Sequence, residues 1–128
     1  MACSNGYGHI RRLLLLSVAL RKCSALVVLF APLKVAERLS KTERINLPVV
    51  VDFDSQTKKS DWFKSDVESW IARLPCLSGF DIVVSDNLIE ILKIRPDAWL
   101  SGSFFWHESL DGFPDQLKNQ SRKLLREY

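Results

Sequence analysis

Four short runs of apolar and β-branched residues set the fold class: residues 24–30 (SALVVLF), 47–53 (LPVVVDF), 81–85 (DIVVS) and 98–104 (AWLSGSF). None alternates cleanly between apolar and polar positions, so each reads as a strand covered on both faces, the habit of parallel sheets. Parallel neighbours need long crossovers, and helical patterns lie between the runs. Residues 9–22 are strongly apolar with polar breaks, 33–41 form a shorter helix, and 88–94 another. Ser65-Asp66-Val67-Glu68 is a capping box that opens a helix stopping near Pro75. A strand stub at residues 1–4 and a helix at 114–128, with Leu117, Leu124, Leu125 and Tyr128 on one side, complete the pattern. Alternating strands and helices predict an α/β fold: a three-layer, doubly wound parallel sheet of Rossmann-like type with strand order 3-2-1-4-5.

At 128 residues, 47% hydrophobic and 26% charged, the chain can bury a sizeable core but has room for one ordinary domain. The three cysteines, Cys3, Cys23 and Cys76, are scattered and form no C-x-x-C pair, which argues against a disulfide framework and a zinc site. Reduced thiols and a cytoplasmic location follow as expectations. Arg11-Arg12 before LLLLSVAL looks like a signal peptide, yet Arg21 and Lys22 interrupt the apolar run well short of a membrane span of about 20 residues.

The net charge of +3 divides unevenly, +6 over residues 1–44 and −3 over the remainder. The basic first third suits phosphate or a peripheral contact with the anionic inner face of a membrane. It lacks the interleaved aromatics of a nucleic-acid module, so nucleic acid is not an expected partner.

The sharpest local feature is Ser4-Asn5-Gly6-Tyr7-Gly8-His9-Ile10-Arg11-Arg12, a glycine-containing turn from strand to helix. Such a turn lets a ligand approach the backbone and points N–H groups at an anion. A dinucleotide fingerprint would need glycine where Arg11 stands and an acid at the end of the second strand, where Phe30-Ala31-Pro32 stands; a Walker loop is absent. In the first turn of the helix, His9 meets the positive dipole end, which favours the neutral imidazole a base requires. Asp86 follows the fourth strand directly. In the expected sheet order the first and fourth strands are neighbours, and His9 and Asp86 would face each other across the crevice at their carboxyl ends. A carboxylate on one ring nitrogen leaves the other free to take a proton. Asp86 has a plainer reading as the cap of the helix beginning at Asn87 or Leu88.

Ser101, Ser103, Phe105, Trp106 and His107 end the fifth strand on the same edge, where aromatic faces could stack on a sugar or lipid; packing in a core is the plainer reading. Asp52-Phe53-Asp54 is a D-x-D whose carboxylates point to opposite faces of a strand, and His107 has no companions, so no metal and no cofactor is assigned.

Three segments taken together, residues 3–12 (CSNGYGHIRR), 81–86 (DIVVSD) and 102–107 (GSFFWH), resemble the N-terminal half of GT-B glycosyltransferases, closest to bacterial sugar transferases with a G-x-G-H-x-x-R turn. The resemblance covers nearly the whole chain and implies that residues 1–128 are the acceptor-side Rossmann-like domain, expected to be truncated, with the donor-binding second domain absent from it, whether carried by a longer chain or by a separate one. It implies a hexosyl- or N-acetylhexosaminyltransferase that inverts at the anomeric carbon without an essential metal and is inactive as this domain alone. His9 corresponds to the catalytic base and Asp86 to its partner. Asn5, Gly6, Tyr7, Gly8, Arg12, Asn87, Ser103 and Trp106 become the candidate substrate-binding residues. The expected partners are a nucleotide-sugar donor, held through the second domain, and a sugar, lipid or small-molecule acceptor. Two alternatives stand beside this: a non-catalytic subunit that docks a donor-binding chain to a membrane or acceptor, and a nucleotide-sugar hydrolase of the same fold.

Overall fold

The computed structural model describes residues 7–54, 68–102 and 115–127. The chain divides into two compact units, Met1–Ser65 and Asp66–Tyr128, and each contains one parallel strand pair with helices, so the α/β class holds.

The first unit runs α1 (Tyr7–Lys22), β1 (Val28–Ala31), α2 (Leu33–Glu43) and β2 (Val49–Asp52). The strands pair in parallel from Val28↔Val49 to Ala31↔Asp52. Helix α1 buries Ile10, Leu13, Leu14 and Ser17, the i, i+3, i+4, i+7 stripe of an amphipathic helix. Four consecutive leucines offer more apolar surface than that stripe can take, and Leu15 is left 42% exposed.

Helices α1 and α2 pack side by side. Arg38 lies over the Tyr7 ring at 5.6 Å, and the Arg11 guanidinium grips the Glu43 carboxylate, Nε to Oε1 at 2.6 Å and Nη2 to Oε2 at 3.2 Å. The partners advance together along both helices, so the two run parallel, as successive right-handed crossovers do.

Both helices end in the same way without glycine. After α1, Ser24 takes the left-handed conformation (φ 62°) while its N–H bonds Arg21 O and that of Ala25 bonds Leu20 O. After α2, Arg44 does likewise (φ 54°), with Arg44 N–H to Lys41 O and Ile45 N–H to Ser40 O. These are Schellman caps, and the first consumes the residues at which the first long strand was expected to begin. Accordingly β1 starts at Val28, not at residue 24.

The second unit contains α3 (Glu68–Ile71), β3 (Val84–Asp86), a 3₁₀ helix (Ile89–Lys93), β4 (Trp99–Ser101) and α4 (Asp115–Glu127). Strands β3 and β4 pair in parallel from Val84↔Trp99 to Asp86↔Ser101, and bonds from Trp99 N–H to Val83 O and Asn87 N–H to Ser101 O extend the ladder. Among the described residues Trp70, Leu77, Val83, Ile89, Ile91 and Leu92 are buried apolar side chains of this unit. Arg95 ties the loops down: Nη1 donates to Leu77 O and Phe80 O, while Nε and Nη2 clamp Asp97.

Several expectations need correction. The described strands form two two-stranded sheets, not one continuous five-stranded sheet. The strand expected to stand between the pairs, residues 1–4, lies outside the described residues, as do Ser65, Asp66 and Val67 of the capping box. The helix expected to reach Pro75 has closed by Ile71, because Arg73 and Leu74 bond three residues back, and a residue preceding proline is driven out of the helical region. Pro96 acts similarly on the segment at 88–94, which is a 3₁₀ helix over Ile89–Lys93. Burial on both faces suits β1 and β3, whereas most of β2 and β4 is exposed.

Two predictions follow from this packing. Leu14 is fully buried while Leu15 faces out, so Leu14→Ala should cost about 2–5 kcal/mol and Leu15→Ala less than about 0.5 kcal/mol in urea unfolding. Equal costs at the two positions would contradict the seating of α1. The second concerns acid: the hydrogen bond from Arg95 holds the Asp97 carboxyl down to about 2 against an ordinary 3.8. A depressed folded pKa stabilises above the unfolded value and is lost as pH falls through the folded one. Wild type and Asp97→Asn should therefore differ slightly near neutral pH and converge as pH falls from about 4 toward 2, the difference being small because the pair is solvent-screened. Urea midpoints across that window measure it, and a gap that stays constant would remove the Arg95 clamp as its origin.

Candidate functional site

The residues singled out in the sequence fall into two groups, one in each unit. In the first unit, Tyr7, Gly8 and His9 open α1. Asn5 and Gly6 lie outside the described residues. Gly8 adopts no left-handed backbone, and a Cβ built on it meets nothing within 4 Å. Neither local conformation nor packing therefore requires glycine at this exposed position, where it carries a helix-propensity cost of about 1 kcal/mol relative to alanine.

His9 is half-buried, and one turn on, Arg12 Nη2 donates to its Nδ1 at 3.0 Å. A guanidinium offers only donors, so Nδ1 must present its lone pair, and the ring proton of this geometry sits on Nε2. The two adjacent arginines thus part company. Arg11 reaches α2 and Glu43, whose carboxyl it holds below the ordinary value chiefly by the hydrogen bond, while Arg12 orients His9. Tyr7, expected to touch substrate, stands against Arg38, which donates to its Oη at 3.3 Å.

In the second unit, Ser85, Asp86 and Asn87 form a buried polar run at the carboxyl end of β3, with Asp86 fully enclosed. Ser85 Oγ donates to Leu88 O at 2.9 Å. Asn87 takes the left-handed conformation (φ 59°), which asparagine tolerates better than most residues, and so turns the chain sharply as the strand ends. The helical segment starts only at Ile89, with Leu88 in its N-cap position, so Asp86 does not occupy the N-cap position that its plainer reading assigned. Ser103, Phe105, Trp106 and His107 lie outside the described residues.

Other polar residues matter more than their sequence context suggests. Asp52, half of the D-x-D, accepts the Leu33 N–H at 2.9 Å and thereby caps α2, whose own N-cap position is Pro32. Glu90, on the 3₁₀ helix just beyond Asp86, has its carboxyl pushed up by burial. Neither role has a short-range sequence signal, since each depends on contacts made in the folded chain. Cys23 and Cys76 are free and exposed. Among the described residues no group of three or more His, Cys, Asp or Glu side chains could hold a metal ion, and no helix is long and apolar enough to cross a membrane.

No family model matches the chain. No curated protein and no solved structure is detectably similar to it.

The tautomer is open to direct measurement. Long-range ¹H–¹⁵N correlation of the His9 ring should give the Nε2–H pattern in the wild type, and Arg12→Leu should shift the population toward Nδ1–H. A wild-type ring already in the Nδ1–H form would break the Arg12–His9 contact.

Proposed function

We propose that this chain is the acceptor-side half of an inverting GT-B glycosyltransferase, a Rossmann-like domain in which His9 is the general base and Asp86 its orienting partner. The observation that carries the reading is the enclosed Asp86 between two other buried polar residues at the carboxyl end of a parallel strand, the position at which doubly wound sheets bind ligands. Burying three consecutive polar side chains has a desolvation cost that an apolar strand end would avoid.

The strand pairs support the finer fold. The proposed order 3-2-1-4-5 expects β1 and β3 on the inner side of their pairs and β2 and β4 on the outer side. Within each unit the burial agrees with that expectation, since β1 and β3 are the buried strands and β2 and β4 the exposed ones.

The chemistry follows from the Arg12 contact. In this mechanism His9, its Nδ1 lone pair engaged by Arg12, would present Nε2–H to the Asp86 carboxylate and so have no nitrogen available to the acceptor until Arg12 lets go. Arrival of a nucleotide-sugar diphosphate draws the Arg12 guanidinium onto the phosphate oxygens, a bidentate match stronger than its bond to imidazole. Nδ1 is then free to accept the proton of the acceptor hydroxyl as that oxygen attacks the anomeric carbon and the nucleoside diphosphate departs. Donor binding thereby switches the base on. Gly8, which no contact among the described residues requires, would leave the backbone open to the diphosphate.

In the enzyme complete with its donor-binding half, His9→Ala should lower kcat by about 10²-fold or more, Asp86→Asn by less, and the double mutant scarcely beyond His9→Ala. Losses that multiply in well-folded variants would separate the two residues and end the paired mechanism.

A further inference from the structure

A different edge of the first unit carries chemistry of its own. Helix α2 begins where β1 ends, and its first N–H is capped by Asp52 at the end of β2, so α2 runs antiparallel to the strands. Helix α1 runs parallel to α2 and leads into the start of β1. Both helices therefore finish at the edge where the strands begin, and Arg21 Nη1 donating to Asn46 O at 2.9 Å joins the two ends.

At that edge Arg21, Lys22, Lys41 and Arg44 are all exposed. The acid within residues 19–28 and 40–49 is Glu43, which Arg11 holds in an ion pair. Among these cations stand two aliphatic side chains that the fold leaves in water: Leu26, 102% exposed in the loop after α1, and Val49, 67% exposed at the start of β2. Cations near helix C-termini are accounted for by the dipole. A wholly exposed leucine at the same edge is not. Nor does it suit nucleic acid, which takes stacking aromatics alongside its cations.

We propose that this edge docks on an anionic lipid bilayer, the four cations engaging lipid phosphates and carboxylates while Leu26 and Val49 enter the acyl boundary. Exposed aliphatic side chains at an edge that also carries four exposed cations are the chemistry of interfacial binding. The other end of α1, with His9 and Arg12, is separated from this edge by a helix of 16 residues, about 24 Å. Docking therefore leaves that turn free, and the proposal holds or fails independently of the transferase reading.

Co-sedimentation of the full chain with phosphatidylcholine–phosphatidylserine vesicles at roughly 7:3 tests it, because electrostatic docking needs the anionic lipid and weakens with salt. Binding should fall about fivefold for each cation removed, hence about twenty-five-fold for Lys22→Gln with Lys41→Gln. Leu26→Ser should weaken it by about tenfold with no change in salt dependence. Far-UV circular dichroism and urea midpoints confirm that the variants are folded; these side chains are exposed, so neither should move. Equal binding to pure phosphatidylcholine, indifference to the paired Gln variant or to Leu26→Ser, or no binding at low salt would each overturn the proposal. So would tighter binding of a single-stranded oligonucleotide that Leu26→Ser leaves unchanged.

Discussion

The first unit depends on how α1 is seated. Ile10 and Leu14 are fully buried, Leu13 nearly so, and Ser17 joins them by turning its hydroxyl back onto Leu14 O at 2.6 Å. That internal bond makes a polar residue acceptable in an apolar stripe. Once the stripe is fixed, rotation of the helix is fixed too, and every functional candidate on α1 takes its direction from it. His9 lies beside the stripe and is half-buried, Arg12 reaches it from one turn on, and Arg11 points toward α2. A register error of one residue in α1 would exchange the tasks of the two arginines.

The second unit rests on a different device. Its strands are only three residues long, too short for their ladder to fix the intervening loops, and Arg95 supplies what the ladder lacks. One guanidinium holds the carbonyls of Leu77 and Phe80 before β3 and the carboxylate of Asp97 before β4. Carbonyls turned inward by short loops are costly if left without donors, and charge-assisted bonds from a planar fork satisfy several at once. The consequence reaches Asp86: the strand carrying it is framed by the two loops that Arg95 binds.

The sequence disclosed element types better than their limits or pairing. Unbroken apolar runs marked β1 and β3 as buried strands, but the same signal overstated β2, because three consecutive valines look alike whether or not a neighbour covers them. The end of α1 at Lys22 was legible, but the caps were not, because Ser24 and Arg44 adopt a conformation usually signalled by glycine, and so β1 begins later than its apolar run suggests. LLLL concealed the helical period of α1, and Ser17, a buried member of its stripe, reads in sequence as a surface residue. At the candidate site, most of the expected glycine turn lies outside the described residues and Gly8 stands within α1, whereas the strand-end position of Asp86 was legible from spacing alone. The contact from Arg12 to His9 was not, although the i, i+3 spacing permits it, because several arginines were available and only packing decides which one turns inward.

Parallel helices give the first unit two chemically opposite edges. Because α1 and α2 point the same way, their positive dipole ends gather at the carboxyl ends of the strands and their negative ends at the start of the strands. Asp52 answers the first field by capping α2, and an anionic ligand at the Gly8–His9 turn would answer it again. Lys22, Lys41 and Arg44 answer the second. The dipoles thus sort charge along the unit before any partner is present: an anion is drawn to one end while cations are held at the other. On the two proposed readings, a surface at the basic edge and a diphosphate at the opposite edge would not compete, because the parallel run of two adjacent helices sets their fields at opposite ends of the unit.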